Sequence, residues 1–377
     1  MNDTPEASRI DNRGYPLLVL LPWLCAIVAY WIIVAVDPFH VRHGGPVFRL
    51  GDHRYQDAEL PYMIYLATLQ SHDVVLLAGS TAMPITRDMM QEAFPRAQSP
   101  INLSYLAPRP LDMAQILPRI AHIPGLKRVI LYMDWTLLDS GPVRSPTGQV
   151  WESLAKTNWS HSADFSISNA LGSLHAVQSG TFELSIWYRD VPDFMLKETP
   201  VTDHADVMKQ FRDAAQRHAG DVFAKSTLTC QKIPYLQTVL VPFMTEMTNK
   251  HIAVDLVFPA IPYVLYYYWI EHRNDFNILL PGPLFDQFMV FKRCVVAARD
   301  QVGGDSSRII AIDTDDAISG DLRRYFDSIH LLDPEAYRTE LRMIADGDET
   351  ITSANIDRHE ADLRSKVAQA GARLGTH

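Results

Sequence analysis

The chain has 377 residues, of which 47% are hydrophobic and 21% charged, as is typical of an ordered globular protein with one large core or two smaller ones. Its 44 acidic residues outnumber its 34 basic ones and give a formal net charge of −10, which argues against a general nucleic-acid binder. No Cys/His spacing typical of a metal site occurs, so the sequence predicts neither a metal nor another cofactor.

The first feature along the chain is an uncharged apolar run at residues 15–36, which is long enough to span a bilayer as one helix. A cleaved signal peptide is the alternative, but its apolar region is normally shorter and ends in a small-x-small cleavage site. This run ends in Val36-Asp37-Pro38-Phe39 instead, so we predict an uncleaved anchor after a cytoplasmic tail at 1–14. The flanking basic residues lean slightly against an exported body, with Arg9 and Arg13 before the run and Arg42, Arg49 and Arg54 after it.

After an irregular linker at 37–57, apolar runs and helical patterns alternate. A helix at 58–70 is expected to lead into the first strand. From that strand onward, the elements follow a β-α-β-α-β order, which predicts a parallel sheet with helices on both faces. The predicted elements are a strand at 74–78, a helix at 85–94, a strand with its exit loop at 101–107, a helix at 111–122 and a strand at 128–134.

Residues 135–203 interrupt this order and are interpreted as an insertion that covers or lines a site, with short helices within 166–179. Residues 346–377 are polar and predict a loop and a surface helix. The sequence therefore predicts an α/β domain at 58–345, a three-layer α/β/α fold with a mainly parallel five-stranded sheet, preceded by one transmembrane helix. The remaining predicted elements are helices at 204–219, 234–248, 284–302, 331–344 and 356–374, and strands at 252–258 and 308–313.

Two further features leave alternatives open. Cys230 and Cys294 are compatible with one disulfide or with two buried free thiols, since Cys25 lies in the apolar N-terminal segment. The run PAIPYVLYYYW at 259–269 is compatible with an aromatic surface for sugar rings or with a buried aromatic helix.

The junction at Gly79-Ser80-Thr81 is the first candidate for chemistry. The preceding strand fixes the backbone, glycine permits a tight turn, and the following helix offers free N–H groups to an oxyanion. The alternative is an ordinary strand-to-helix turn in which Ser80 or Thr81 caps the helix.

Polar residues also follow the other predicted strands. A serine nucleophile needs a base, for which imidazole is suited near neutral pH, and the base needs an acceptor on its other ring nitrogen. Asp327 and His330, three residues apart after the last strand, fit these two roles; the alternative is an exposed acid beside a structural histidine. The residues after the second and third strands are Asn102, Ser104 and Asp134.

This order of motifs resembles the SGNH/GDSL hydrolase superfamily, with Gly79-Ser80-Thr81 as the first block and Asp327-Ser328-Ile329-His330 as the last. More narrowly, the N-terminal anchor, Asp37-Pro38-Phe39 and Tyr325-Phe326 before Asp327 resemble membrane-anchored SGNH-like proteins. Those proteins work beside membrane-bound O-acyltransferases in alginate acetylation or teichoic-acid D-alanylation. The resemblance implies a flavodoxin-like SGNH fold, a location in the inner (cytoplasmic) membrane, and a body facing the periplasm or the outside.

The blocks depart from the family pattern at the oxyanion hole. Gly79 stands where the family has Asp, and the second block has no Gly, so the backbone N–H of Ser104 is the candidate donor there. Asp134 stands near the place of the third block's Asn, where a carboxylate repels an oxyanion unless it is protonated. Asn102 is a substitute donor, or else a buried amide that satisfies backbone groups. The predicted oxyanion or substrate-binding residues are therefore Gly79, Asn102, Ser104 and Asp134.

These residues lead to two hypotheses. The first is a serine-dependent acyltransferase or esterase with Ser80, Asp327 and His330 as catalytic residues, acting on a cell-envelope or exported polysaccharide or an acylated sugar. Its expected partners are a membrane-bound O-acyltransferase and, through residues 15–36, membrane lipid, with no nucleic acid. The second is a catalytically inert scaffold that docks such a membrane enzyme.

Overall fold

The computed structural model describes residues 20–28, 68, 71–104, 108–138, 209, 228–271, 284–303, 306–325, 329–331 and 333–374.

The chain divides into two units, one formed by Met1–Tyr55 with Ser153–Tyr188 and the other by Gln56–Glu152 with Arg189–His377. Of the first unit, only the helical residues 20–28 are described, and large apolar side chains there are exposed, with Trp23 at 69%. Within the described ranges, no helix is both long and apolar enough to cross a membrane. The rest of the anchor predicted at 15–36 lies outside the described residues.

The second unit is built around a five-stranded sheet in which all neighbouring strands are parallel. The strand order is β2-β1-β3-β4-β5, so the chain moves from β1 to an edge and then returns to the other side of β1. This confirms the predicted α/β class and the five parallel strands. The strands are β1 Val74–Leu77, β2 Pro100–Asn102, β3 Arg128–Tyr132, β4 Ala253–Phe258 and β5 Ser307–Ala311.

Seven labelled helices accompany the sheet in the described part of this unit. The predicted helices at 58–70, 166–179 and 204–219 lie outside the described residues, apart from single positions. A π-helical turn at Leu236–Leu240 precedes α3, where the sequence predicted one continuous helix. The helices are α1 Arg87–Ala93, α2 Pro110–Ile120, α3 Val241–Asn249, α4 Tyr263–Glu271, α5 Leu284–Val302, α6 Pro334–Asp346 and α7 Ile356–Leu374.

Capping residues set the ends of α6. The sequence predicted this helix from residue 331, but it begins at Pro334, because Asp333 is its N-cap and accepts a hydrogen bond from the N–H of Glu335 at 2.9 Å. It ends at Gly347, which has a φ of 78° and closes the helix in the left-handed region. Residues 329–331 are therefore not helical, which leaves His330 on a loop.

Alternate residues along each strand point to opposite faces of the sheet, and helices cover both faces. On one face, Val74 and Leu76 belong to a buried cluster with Met90 of α1 and Tyr337 of α6. On the other face, Phe258 makes edge contacts with two phenylalanine rings of α5, Phe288 and Phe291. Burying side chains on both faces explains why the strand sequences are nearly continuous apolar runs.

The C-terminal helix α7 has the bounds that the sequence predicted, but it is more than a surface helix. Its His359 lies 3.2 Å from Lys292 Nζ, and Lys292 forms a buried ion pair with Asp313. Tyr266 of α4 donates a hydrogen bond to the same carboxylate at 2.5 Å. Although burial opposes it, the positive charge of Lys292 and a hydrogen bond from His359 hold the pKa of Asp313 below its ordinary value. This cluster ties α4, α5 and α7 to the end of β5.

Both open alternatives are decided by the structure. Cys230 and Cys294 form a disulfide. The aromatic run is a buried helix, α4, in which Tyr266 is fully buried and Trp269 is 2% exposed. The hydroxyl of Tyr263, at the start of α4, nevertheless donates a hydrogen bond to the exposed carboxylate of Asp316.

Candidate active site

Ser80 begins a short 3₁₀ turn, Ser80–Ala82, that follows β1. The preceding Gly79 has an ordinary φ of −79°, so backbone conformation does not require glycine there. Space does require it: a Cβ at residue 79 would lie 2.7 Å from Asp134 Oδ2 and 3.2 Å from Pro108 Cδ. Glycine therefore allows the carboxyl of Asp134 to approach the backbone directly before Ser80.

His330 reaches Ser80 from the far end of the chain. Its Nε2 lies 2.8 Å from Ser80 Oγ, within hydrogen-bond distance, and both side chains are partly exposed. An antiparallel bridge between Tyr325 and Leu331 holds the loop, and the hydroxyl of Tyr337 on α6 donates to the Leu331 carbonyl at 2.9 Å. The predicted convergence of Ser80 and His330 at the carboxyl edge of the sheet is therefore present. This pair has the geometry of a hydroxyl nucleophile and its general base.

Asp134 follows β3, the strand that pairs with β1. In the register of these strands Leu77 lies opposite Leu131, so Ser80 and Asp134 each come three residues after this pair. Its side chain is buried, and Oδ1 accepts a hydrogen bond from the N–H of Thr136 at 3.2 Å. Burial raises the pKa of Asp134 to about 6, while the hydrogen bonds from Thr136 and the charge of His330 act in the opposite direction. The site thus contains a carboxyl whose pKa is raised to about 6 and which interacts electrostatically with His330.

The hydrogen-bond donors of Asn102 and Ser104 are used within the backbone around the site and are not directed at Ser80. Both N–H groups of the Asn102 side chain are donated to backbone carbonyls, those of Ala82 at 2.9 Å and Ile85 at 2.8 Å. The side-chain oxygen of Asn102 accepts the backbone N–H of Ser104 at 2.9 Å. In this arrangement, the donors predicted for an oxyanion at these two residues are occupied. Of the two readings of Asn102, the geometry matches a buried amide that satisfies backbone groups.

Asp327, the predicted partner of the other His330 nitrogen, lies outside the described residues. Its role therefore stays a prediction from the Asp-x-x-His spacing. No group of three or more His, Cys, Asp or Glu side chains suited to a metal ion occurs in the described part of the chain.

Sequence reasoning missed Glu340, a buried acid of α6. Its Oε1 accepts the backbone N–H of Ala260 at 3.0 Å, and its Oε2 lies 3.4 Å from the Tyr132 hydroxyl, which donates to it. Burial raises the pKa of Glu340 to about 7. Glu340 joins α6, the helix that follows His330, to the ends of β3 and β4. The signal in the sequence is an acid three residues after Tyr337 and directly before Leu341, on an otherwise apolar helix stripe.

Comparisons with protein-family models, with characterised proteins and with solved structures find no match to this chain. The resemblance to the SGNH/GDSL superfamily therefore rests on the sequence blocks around Ser80 and His330 alone.

Proposed function

We propose that this chain is a membrane-anchored, serine-dependent O-acyltransferase or esterase that acts on a cell-envelope or exported polysaccharide. The observation that carries the proposal is the distance of 2.8 Å between Ser80 Oγ and His330 Nε2. These residues come from opposite ends of the domain sequence, and a nucleophile beside its base is the first requirement for covalent acyl transfer.

In the first half of the reaction, His330 Nε2 takes the Ser80 proton while Oγ attacks the carbonyl carbon of an acyl ester. The resulting imidazolium gives this proton to the leaving-group oxygen, so that an acyl-Ser80 ester and a free alcohol remain. In the second half, a sugar hydroxyl or water loses its proton to His330 and attacks the acyl-Ser80 carbonyl. The proton then returns to Ser80 Oγ as the new ester or the free acid leaves.

In this scheme, two carboxyl groups stabilise the positive charge that His330 acquires. On this proposal, Asp327 accepts a hydrogen bond from the N–H of the other ring nitrogen and fixes the orientation of the imidazole, while the proton stays on the ring. Asp134 interacts with His330 through its charge, so its ionised form stabilises the imidazolium that forms during each half-reaction.

The fold supports the same assignment. The strand order β2-β1-β3-β4-β5 is the flavodoxin-like order that an SGNH-like three-layer fold requires. In open parallel sheets, ligands bind outside the carboxyl ends of the strands where the chain reverses its direction across the sheet, here between β1 and β3. Ser80 and Asp134 follow these two strands.

Other observations support an exported, anchored protein. The disulfide between Cys230 and Cys294 is typical of an oxidising compartment outside the cytoplasm. The exposed apolar side chains of residues 20–28 offer a surface that a lipid bilayer would cover. On this proposal, residues 15–36 contact lipid of the inner membrane, the body faces the periplasm or the outside, and a membrane-bound O-acyltransferase is the partner that supplies acyl groups.

One observation favours the inert scaffold as a second candidate. The side chain of Asn102 and the backbone N–H of Ser104 are both occupied, so neither donor that the second block was expected to supply is directed at an oxyanion. The backbone N–H of Ser80 remains the donor for the oxyanion in the enzyme scheme. A single donor predicts slower acyl transfer, because loss of one oxyanion donor typically costs about 10²–10³ in kcat.

Hydrolysis of an aryl acetate by the full chain in detergent tests the proposal. Ser80→Ala and His330→Ala are each expected to lower kcat/KM by roughly 10³-fold or more, and the double variant is expected to be little worse, because the two residues act as a unit. Ser307→Ala is the matched control, since it removes a buried serine hydroxyl from the first residue of β5, at the amino ends of the strands and away from the candidate site. Equal rates in wild type and Ser80→Ala would reject the enzyme and leave the scaffold.

A further inference from the structure

A pocket of about 600 Å³ lies beyond the carboxyl ends of β4 and β5, between α4, the turn at residues 316–322 and α7. It is at the same edge of the sheet as Ser80 and His330, but it contains neither of them. Its volume falls within the range of about 300–1,000 Å³ that ligand sites occupy. Its lining includes the charged side chains of Asp316, Asp362, Lys366 and Arg373, together with polar groups of Tyr263, Ser319, Ser365 and Gln369.

The walls of this pocket are fixed by hydrogen bonds between its three elements. The backbone N–H of Tyr263 is donated to the Ser319 carbonyl at 3.1 Å, and the Tyr263 hydroxyl donates to Asp316 Oδ1 at 2.7 Å. Gly320 is needed for the turn, because a Cβ there would lie 2.5 Å from the Asp316 carbonyl oxygen. Lys366 of α7 donates to the Thr314 carbonyl at 2.7 Å. A pocket that is braced in this way needs little rearrangement to accept a ligand.

The charges around the pocket balance. Lys366 and Arg373 are matched by Asp316 and Asp362, and Lys366 Nζ lies 3.4 Å from Asp316 and 3.1 Å from Asp362. The two carboxylates remain 70% and 50% exposed, respectively, so they keep acceptor positions that face the solvent. A strongly anionic ligand would be repelled by them. An uncharged ligand with many groups that both donate and accept hydrogen bonds fits this lining.

Two buried hydroxyls lie side by side behind the pocket wall. Ser319 is 2% exposed, and its hydroxyl is a neighbour of the Tyr325 hydroxyl. Among the described residues, however, neither hydroxyl makes a hydrogen bond of regular geometry. The Ser319 oxygen is covered by protein, so it shapes this wall from behind and leaves the ligand contacts to the exposed side chains of Asp316, Asp362 and Gln369. Through Tyr325, this wall is also continuous with the loop that carries His330.

We propose that the pocket binds an uncharged, hydroxyl-rich saccharide segment. Sugar hydroxyls donate to the carboxylates of Asp316 and Asp362, and the exposed amide of Gln369 both donates to sugar hydroxyls and accepts from them. The inference rests on the proposed function for its biological role, which is to hold part of the polysaccharide away from the acyl group that reacts at Ser80. Binding energy from such a remote part of a substrate places the reacting group near the nucleophile.

Saccharide binding can be measured without turnover in full-length Ser80→Ala protein, in a detergent without a sugar headgroup. The probes are cellotetraose, maltotetraose and chitotetraose, with tetragalacturonate as the anionic comparison, in isothermal titration calorimetry. Ser365→Trp, added to this protein, places an indole in the pocket from α7. Ala368→Trp adds the same ring at an exposed position of α7 outside the pocket and is the matched control.

At least one uncharged tetrasaccharide is expected to bind with a stoichiometry of one. Ser365→Trp should weaken this binding by about tenfold or more, and Ala368→Trp by less than about twofold. The inference is overturned if none of the uncharged probes binds, if Ser365→Trp binds as well as its parent, or if tetragalacturonate binds more tightly than every uncharged probe.

Hydrolysis of an aryl acetate by the chain with Ser80 intact separates this inference from the proposed function. Serine-dependent hydrolysis without saccharide binding would reject only the pocket assignment. Saccharide binding that is sensitive to Ser365→Trp, without any hydrolysis, would keep the pocket and reject the acyl-transfer scheme.

Discussion

Replacing Asp134 by asparagine removes a carboxyl that folding buries against Gly79. Burial raises the pKa of Asp134 from 3.8 to about 6, because water no longer stabilises the carboxylate. At about 1.4 kcal/mol for each pKa unit, this difference amounts to about 3 kcal/mol of folding free energy.

The direction of the effect follows from where the proton is held. The unfolded chain releases the Asp134 proton near pH 3.8, whereas the folded chain holds it up to about pH 6, so raising the pH between these values favours unfolding. The amide in Asp134→Asn has no charge and lacks this penalty. Whatever constant cost the amide carries, the stability of the variant relative to wild type should therefore rise by about 2.5 kcal/mol between about pH 4 and pH 8.

Urea unfolding followed by tryptophan fluorescence at several pH values measures this difference. Asp73→Asn is a control of opposite sign, because the N–H groups of Gln98 and Ser99 lower the pKa of Asp73 although burial opposes them. Stability from Asp73 is present above its ordinary pKa and is lost as the pH falls, so Asp73→Asn should lose stability relative to wild type as the pH rises. If the offset of Asp134→Asn is the same at every pH, the reasoning on Asp134 fails.

Two further predictions concern the contacts around the site and the disulfide. Gly79→Ala should destabilise the fold by roughly 1–3 kcal/mol, because the added Cβ clashes with Asp134 Oδ2. Most of this loss should disappear when Asp134→Ala is added, and a double-mutant cycle of urea unfolding measures the difference. Additive losses of stability would contradict the close approach of Asp134 to Gly79. Replacing Cys230 and Cys294 by serine opens a loop with a sequence separation of 64 residues and should cost about 4 kcal/mol on the chain-entropy account, whereas Cys25→Ser, which removes a free thiol, should change little. Equal urea midpoints for wild type and the double variant would show that the disulfide does not stabilise the fold.

The sequence was sufficient for those parts of the fold that depend on local patterns. Buried strands appear as short apolar runs, and the long amphipathic patterns of α5 and α7 give their bounds directly, because one helix face of each must be buried. The start of α6 was misplaced by three residues, since the apolar residues before Pro334 continue its pattern although the helix begins at the Asp333 cap. The predicted elements within 139–208 and 210–227 cannot be compared, because these residues lie outside the described ranges.

The candidate site was predictable where it depends on strand ends and not where it depends on tertiary contacts. Ser80 and His330 both follow core strands, and in a parallel sheet the ends of those strands share one edge. The two hydrogen bonds that the Asn102 side chain donates to backbone carbonyls could not be predicted from the sequence, because the loop geometry decides which carbonyls lie within reach. The contact of Asp134 with Gly79 depends on β3 lying beside β1, and sequence order alone does not specify that neighbour. The pocket between α4 and α7 is likewise formed by segments about a hundred residues apart.

The central claim is that Ser80 is a nucleophile activated by His330. Incubation of the full chain with a fluorophosphonate, followed by peptide mass spectrometry, tests this claim without requiring the natural substrate. We expect one adduct, on Ser80, that is absent in Ser80→Ala, forms much more slowly in His330→Ala, and forms at the wild-type rate in Ser307→Ala. An unlabelled wild-type chain, an adduct at another residue, or labelling of Ser80 at an unchanged rate in His330→Ala would contradict the account.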